Sequence, residues 1–323
     1  AGEAGVLADR VLDQLQRLSP GGGMSDAGDI GHVGLADCRC GQPLGEVMAQ
    51  ADLALRQAQQ DGPNHFRYLA GSSDGGASLE QGATQWRERL QRYLDENALL
   101  LPLQPVVDAR RPGTWLNREV LLRAREADGS LTPAGAFMSM AERTGLAQAL
   151  DRRVIEQADR LLSQSGQTLA PLAINLTPDA INDADFVTWL GDFLRQRGIG
   201  PQLIFEVSEY GVVRYLEPAQ RLERMLREHG SGLAIDRFGS RFSSFTYLRD
   251  LPVRYLKLDG SYTRSLNATR ETPIFVRALV NMAHELDIQL IAESVETEAE
   301  AQSLTAMNVD GLQGYYLGRP HQP

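Results

Sequence analysis

Three observations predict an α/β fold, a TIM-type barrel preceded by a smaller α+β segment. From residue 99 onward, short apolar runs alternate with longer amphipathic stretches, the mark of repeated β and α units. Eight such runs occupy roughly 225 residues, the size of one (β/α)8 barrel. Most of the runs also end on a polar side chain, and the C-terminal strand ends are where a barrel assembles its site. A doubly wound sheet would show similar spacing, so the placement of the polar residues carries the prediction.

The elements follow in chain order. Residues 1–18 read as an amphipathic helix carrying Glu, Asp and Arg, residues 31–37 as a short strand and 44–60 as a helix. The last has apolar side chains at Leu44, Val47, Met48, Ala51, Leu53 and Leu55. A Gly/Ser-rich stretch at 71–76 reads as a flexible break, and the pattern opened by Ser78 predicts a linker helix over 78–97. This gives a partial domain at 1–70, a linker at 71–97 and a barrel at 98–323. The barrel runs are 100–107, 118–123, 171–176, 203–207, 232–236, 255–258, 289–292 and 309–313.

Arg123 ends the second run, Asn175 and Glu206 fall near the ends of the third and fourth, and Asp236 ends the fifth. Lys257 and Asp259 bracket the end of the sixth, Glu293 follows the seventh and Gln313 ends the eighth. Glu119 is expected at the start of its run and is the exception. A strand stopping at a polar residue means little once; repeated around a barrel, with carboxylate, amide and cationic types, it describes a site.

Composition narrows the function. A formal net charge of -10 argues against a long nucleic acid, whose backbone needs a basic surface, but leaves open a small anion held by a few local Arg and Lys residues. No run of about 18 apolar residues is present. Cys38 and Cys40 are too few for a disulfide framework and lack a second pair at zinc spacing. The five histidines are scattered, and no Gly-x-Ser-x-Gly elbow occurs, which removes metalloprotease and serine hydrolase readings.

Glu119, Asn175, Glu206 and Asp236 are hard oxygen donors suited to Mg²⁺, Mn²⁺ or Ca²⁺ with positions open for phosphate oxygens. Lys257 suits water orientation or charge stabilisation, and Glu293 suits a general base. Two-metal phosphodiester cleavage needs ions about 4 Å apart and enough carboxylate to offset their repulsion. Arg237 beside Asp236 puts a permanent cation where a second ion would sit.

Ordered motifs carry a resemblance. They are Gln104-Pro105-Val106-Val107, Glu119-Val120-Leu121-Leu122-Arg123, Ala141-Glu142-Arg143-Thr144-Gly145-Leu146, Asn175-Leu176-Thr177 and Glu206-Val207-Ser208-Glu209. Leu256-Lys257-Leu258-Asp259, Ala292-Glu293-Ser294-Val295-Glu296-Thr297 and Gln313-Gly314-Tyr315-Tyr316-Leu317-Gly318-Arg319-Pro320 complete the series. Residues 98–323 resemble the EAL domain, the cyclic di-GMP phosphodiesterase family, whose fold is a modified TIM barrel with an antiparallel first strand. The resemblance implies Glu119, Asn175, Glu206 and Asp236 as metal ligands and Lys257 and Glu293 as catalytic lysine and base. It further implies Gln104, Leu121, Arg123 and Gln313 as dinucleotide contacts, and Glu209 and Glu296 as anchors of the loop after the fifth strand. Residues 1–70 are similar to the C-terminal half of a GGDEF domain through Val33-Gly34-Leu35-Ala36 and residues 51–58, without the signature itself.

The departures point away from catalysis. Active members carry Asp-Asp-Phe-Gly-Thr-Gly where this chain has Asp236-Arg237-Phe238-Gly239-Ser240-Arg241, Ser294 replaces a usual glycine, and Ala124 a usual tryptophan. Losing a second Lewis acid forfeits several kcal/mol of transition-state stabilisation. The expectation is therefore a degenerate EAL domain that binds cyclic di-GMP without a required cofactor, through Gln104, Glu119, Leu121, Arg123, Asn175, Glu206, Asp236, Arg237, Lys257, Asp259, Glu293 and Gln313. Mg²⁺ or Mn²⁺, as a single ion at most, belongs to residual hydrolysis. A degenerate GGDEF and EAL tandem resembles the LapD-type receptors, which implies a homodimer in the cytoplasmic portion of a membrane-anchored parent acting on a periplasmic protease. The alternatives are a working phosphodiesterase that yields the linear dinucleotide and a nucleotide-blind scaffold.

Overall fold

The computed structural model describes residues 32–38, 65–69, 75–111, 113–165, 170–239, 245–266 and 271–322, with isolated helical positions at residues 8, 10, 11, 47, 51, 54, 55 and 58. The expected helices over 1–18 and 44–60 thus lie mostly outside the described residues. The chain divides into two compact units, Ala1–Trp86 and Arg87–Pro323.

In the first unit, β1 (Val33–Ala36) and β2 (Phe66–Leu69) pair in parallel, with Val33 opposite Phe66. A parallel pair needs a crossover, and the described helical positions between 47 and 58 belong to that connection. Tyr68 donates its hydroxyl to Asp37 at 2.5 Å.

Helix α1 (Gly75–Asp95) occupies the place of the expected linker. The division between units falls inside it, because its C-terminal half carries Leu90, Tyr93 and Leu94 into the core of the second unit. The Tyr93 ring meets Phe137 edge-on at 5.6 Å, Arg87 donates to the Thr144 carbonyl at 2.6 Å, and Arg153 donates to that of Leu94 at 3.2 Å.

The second unit continues with β3 (Leu99–Leu100), β4 (Leu103–Asp108), β5 (Trp115–Val120), β6 (Arg123–Arg125), β7 (Leu131–Pro133), α2 (Met138–Thr144) and α3 (Ala147–Ser165). Next come β8 (Leu172–Asn175), α4 (Pro178–Asn182), α5 (Ala184–Arg197), β9 (Leu203–Ser208), α6 (Glu209–Arg214), α7 (Leu216–Glu228) and β10 (Gly232–Phe238). The chain closes with β11 (Tyr255–Leu258), α8 (Gly260–Arg264), α9 (Glu271–Glu285), β12 (Gln289–Ala292), α10 (Glu298–Ala306) and β13 (Gly311–Leu312). Strands β4, β5 and β8 to β13 form a closed eight-stranded barrel in chain order, and β4 runs antiparallel to both neighbours, β5 and β13. The predicted barrel is the observed one. Among the described residues no helix is long and apolar enough to cross a membrane.

Two expected runs divide. The run 118–123 is two strands, because Leu121 leaves the ladder to donate to the Pro102 carbonyl and Leu122 accepts from Ala134, so that β6 joins β3 and β7 in a separate three-stranded sheet. Glu119 therefore sits at the C-terminal end of β5 and is no exception to the strand-end pattern. Arg123 opens a strand instead of ending one. Likewise 100–107 breaks at Leu101-Pro102, where the chain passes from β3 in the small sheet to β4 in the barrel.

Side chains two residues apart on a strand share a face. On the faces of Asn175, Glu206, Asp236, Lys257 and Glu293 lie, one step deeper, Ala173, Ile204, Ala234, Tyr255 and Ile291, which pack with Val106 into one apolar cluster. A dry plug thus supports a polar floor. The larger cluster fills the space between barrel and helices.

Candidate functional site

Lys257 stands at the centre of the polar floor. Its side chain is fully buried, and Nζ donates to Glu119 Oε2 at 2.7 Å and Glu206 Oε2 at 2.8 Å, with Glu293 Oε1 at 3.0 Å and Asp236 Oδ1 at 4.0 Å. Burial opposes its charge, but Glu119 and Glu206, then Glu293 and Asp236, hold its pKa well above the ordinary lysine value. Burial likewise works to raise Glu119, yet Lys257, Gln313 and Asn175 together bring its carboxyl below the usual range. Glu206 goes the other way, pushed well up by burial against the pull of Lys257, with Glu119 and Asp236 adding repulsion. Glu293 is pushed up to about 7, first by burial. One ammonium cannot compensate several carboxylates, so their pKa values are driven apart.

The amides orient the acids. Asn175 donates to Glu119 Oε1 at 2.9 Å, and Gln313 donates to Glu119 Oε2 at 2.6 Å and Gln104 Oε1 at 3.4 Å. Gln104 in turn donates to the Gly318 carbonyl at 3.1 Å. Glu206 and Lys257 lie beneath the mouth of the barrel, while Gln104, Glu119, Leu121, Asp236, Arg237, Glu293 and Gln313 line a cavity of about 400 Å³. A second cavity of about 440 Å³ takes in Arg123 and Asn175. Glu119, Leu121, Asp236 and Arg237 wall both.

Arg237 is in the left-handed region at φ 53°, just where the β10 and β11 register shifts between Ile235 and Phe238. Its Nε lies 3.8 Å from Asp236 Oδ2, and its side chain is 73% exposed. Glu209 accepts from the Gly239 amide at 3.1 Å and from the Tyr247 hydroxyl at 3.4 Å, which ties the start of the loop after β10. Gly239, at φ 79°, holds a left-handed conformation that disfavours a side chain, and a Cβ there would press on the Tyr262 ring at 3.1 Å. Arg241 and Phe242 lie outside the described residues. Phe245 packs on buried Phe238 at 4.9 Å, which makes it a core contact.

One expected ligand contact is placed elsewhere, and one expected loop anchor sits on the rim. Asp259 caps α8 by accepting from the Ser261 amide at 2.9 Å and lines neither cavity. Glu296 is an exposed rim residue of the smaller cavity.

Sequence reasoning missed Asp151. Its Oδ2 accepts from Thr177 through Oγ1 at 2.6 Å and N at 3.2 Å, and it lines the larger cavity with Glu142. An aspartate among Ala147, Leu150, Val154 and Ile155, on the apolar stripe of a helix, was the available signal. Burial pushes its carboxyl up to about 7 despite the Thr177 bonds. A folded-state pKa raised from about 3.9 gives stability that is complete below that value and lost as pH rises through 7, by up to about 4 kcal/mol. The Asp151→Asn variant is expected to lack this dependence. In urea titrations at pH 5, 6.5 and 8, it should therefore gain on the wild type as pH rises, and a constant difference would refute the assignment.

Residues 87–320 match the family model described as the EAL domain. The chain belongs to the EAL domain family. The EAL domain of FimX from Pseudomonas aeruginosa, solved bound to c-di-GMP, is 31% identical with a TM-score of 0.69 over 74% of this chain and 97% of that one. The bifunctional diguanylate cyclase/cyclic di-GMP phosphodiesterase MucR of the same organism is 32% identical over 284 residues, 87% of this chain and 41% of MucR. A GGDEF-EAL structure of Vibrio cholerae LapD bound to c-di-GMP shares the fold, with a TM-score of 0.73 and 21% identity over 98% of this chain and 74% of that one. The chain spans about a third to two fifths of the length of the curated relatives it matches.

Proposed function

We propose that this EAL domain is a cyclic di-GMP receptor that holds the dinucleotide across the two cavities and hydrolyses it slowly or not at all. The observation that carries the reading is Arg237, a guanidinium 3.8 Å from Asp236 at the wall common to both cavities. Glu119, Glu206, Asp236 and the amide oxygen of Asn175 are hard oxygen donors whose chemistry suits one divalent ion, although as placed no three ligating side chains among the described residues are grouped closely enough to hold one. Held by Glu119, Asn175, Glu206 and Asp236, Mg²⁺ or Mn²⁺ would polarise a phosphoryl oxygen. A guanidinium beside Asp236 does not fit a second ion. Two cavities of similar size meeting at one wall suit a ligand with two similar halves, and FimX and MucR EAL structures with c-di-GMP support that ligand.

The whole-protein form of the reading is LapD-like. Residues 1–70 are a GGDEF remnant, the barrel dimerises, and a membrane-anchored parent carries the signal from its cytoplasmic portion to a periplasmic protease. Glu209 and Glu296 would anchor the loop after β10. A second reading, a phosphodiesterase, is favoured by the placement of Lys257 and Glu293 with four candidate ligands intact.

Calorimetric titration of cyclic di-GMP in EDTA and again with Mg²⁺ or Mn²⁺, followed by chromatography of the nucleotide, separates the readings. Saturable binding in EDTA with intact dinucleotide recovered from both samples is the expected result. Conversion to the linear form would establish the enzyme, and absence of heat would leave a scaffold.

A further inference from the structure

The lining of the cavities is a poor place for an anion. Among the described residues six carboxyl groups face them, from Glu119, Glu142, Asp151, Asp236, Glu293 and Glu296, against the guanidiniums of Arg123 and Arg237. Lys257 is no help, because its donors are committed to Glu119, Glu206 and Glu293 below the surface. A phosphodiester entering this mouth needs a cation, and of the two lining guanidiniums Arg237 alone walls both cavities.

Several features aim that group outward. The left-handed backbone at 237 is unfavourable for a non-glycine residue, and such conformations persist where the surroundings impose them. Here the register shift of β10 against β11 imposes it. The 3.8 Å separation from Asp236 is an ion pair without a hydrogen bond, which leaves the planar fork available for an anion. On the rim behind it, Arg264 donates to Ser294 Oγ at 3.3 Å, and Asp259 lies in the field of both Arg264 and Arg237. Ser294, a cavity residue also in the left-handed region at φ 59°, thereby holds a second guanidinium near the same mouth.

We propose that Arg237 is a phosphate-binding residue, its guanidinium forked onto a phosphodiester of the ligand, so that the chain carries a built-in cation and binds its dinucleotide without a metal. The assignment rests on the receptor reading and adds to it the residue that makes binding metal-independent.

The test is calorimetry of cyclic di-GMP in EDTA with the wild type, Arg237→Asn and Arg237→Lys. Asparagine tolerates the left-handed backbone, so that variant removes the fork and leaves the loop geometry; melting temperatures verify that all three fold alike. Arg237→Asn is expected to bind roughly 10- to 100-fold more weakly, the worth of a charge-assisted fork. Arg237→Lys should fall between, keeping the charge without the planar pair. The affinity of Arg237→Asn should also depend less steeply on salt than that of the wild type. Binding by Arg237→Asn within twofold of the wild type in EDTA would overturn the assignment and leave the receptor reading standing. A wild type that binds only after Mg²⁺ is added would overturn both.

Discussion

Replacing Lys257 with methionine is expected to remove about 3–5 kcal/mol of stability, the cost of leaving buried carboxylates without their counter-ion. For a unit of this size that is a fall of roughly 6–20 °C in melting temperature. Methionine nearly matches the lysine in volume, so little of the loss would come from a cavity. The ammonium it removes compensates Glu119 at 2.7 Å, Glu206 at 2.8 Å and Glu293 at 3.0 Å. Without it, burial and mutual repulsion lose their main opponent, and all three folded-state pKa values rise, Glu119 least because Gln313 and Asn175 still donate to it. A raised carboxyl pKa supplies stability that is present below the unfolded value and lost as pH climbs through the folded one. The defect should therefore be larger at pH 8 than at pH 5.5, and Lys257→Met/Glu206→Gln should recover part of it, since one unpaired charge is gone. Circular dichroism melts of the four proteins at both pH values give the double-mutant cycle. A pH-independent loss, or strict additivity, would show that Lys257 acts by packing and not by charge.

That cluster also marks the boundary of what the sequence disclosed. Strands β11 and β12 have the bounds their apolar runs predict, because a buried parallel strand is an unbroken apolar segment closed by a polar residue. The run 118–123 misled because a chain can change sheets without changing hydropathy: Leu121 and Leu122 are as apolar as their neighbours but pair with Pro102 and Ala134. The three-stranded sheet of β3, β6 and β7 was illegible for a related reason, its strands being too short for a period of two to register. Among site residues, position along the chain showed which side chains end strands but not how deep each one lies. Lys257 and Asp259 looked equivalent at the end of one run, and two residues apart they would share a face of a continuing strand; β11 ends at Leu258, so the first is buried in the barrel and the second caps a helix. The left-handed turn at Arg237 was hidden as well, since β10 continues to Phe238 past a charged residue and pairs again with Leu258.

The same position gives the second large effect. Arg237→Asp, combined with Arg241→Gly, is expected to raise metal-dependent hydrolysis of cyclic di-GMP by roughly a thousandfold, because a second Lewis acid contributes several kcal/mol to phosphoryl transfer. Aspartate is among the residues that accept a left-handed backbone, so the 53° φ at 237 should be kept and the new carboxylate carried on the wall common to both cavities. The two substitutions together also shift the local charge by three units toward negative, two at position 237 and one at 241, which predicts opposite changes in two measurements on one protein. In EDTA the variant should bind the dinucleotide more weakly than Arg237→Asn, since an anion now faces an anion. With Mn²⁺ it should bind as well as the wild type or better, and convert the ligand to its linear form. Chromatography of the nucleotide in parallel with calorimetry reads both. Restored binding without turnover would mean that the second ion is held but that the Lys257 and Glu293 arrangement cannot use it, placing the loss of catalysis deeper than Arg237. Turnover by the wild type at a similar rate would mean that the arginine never prevented catalysis.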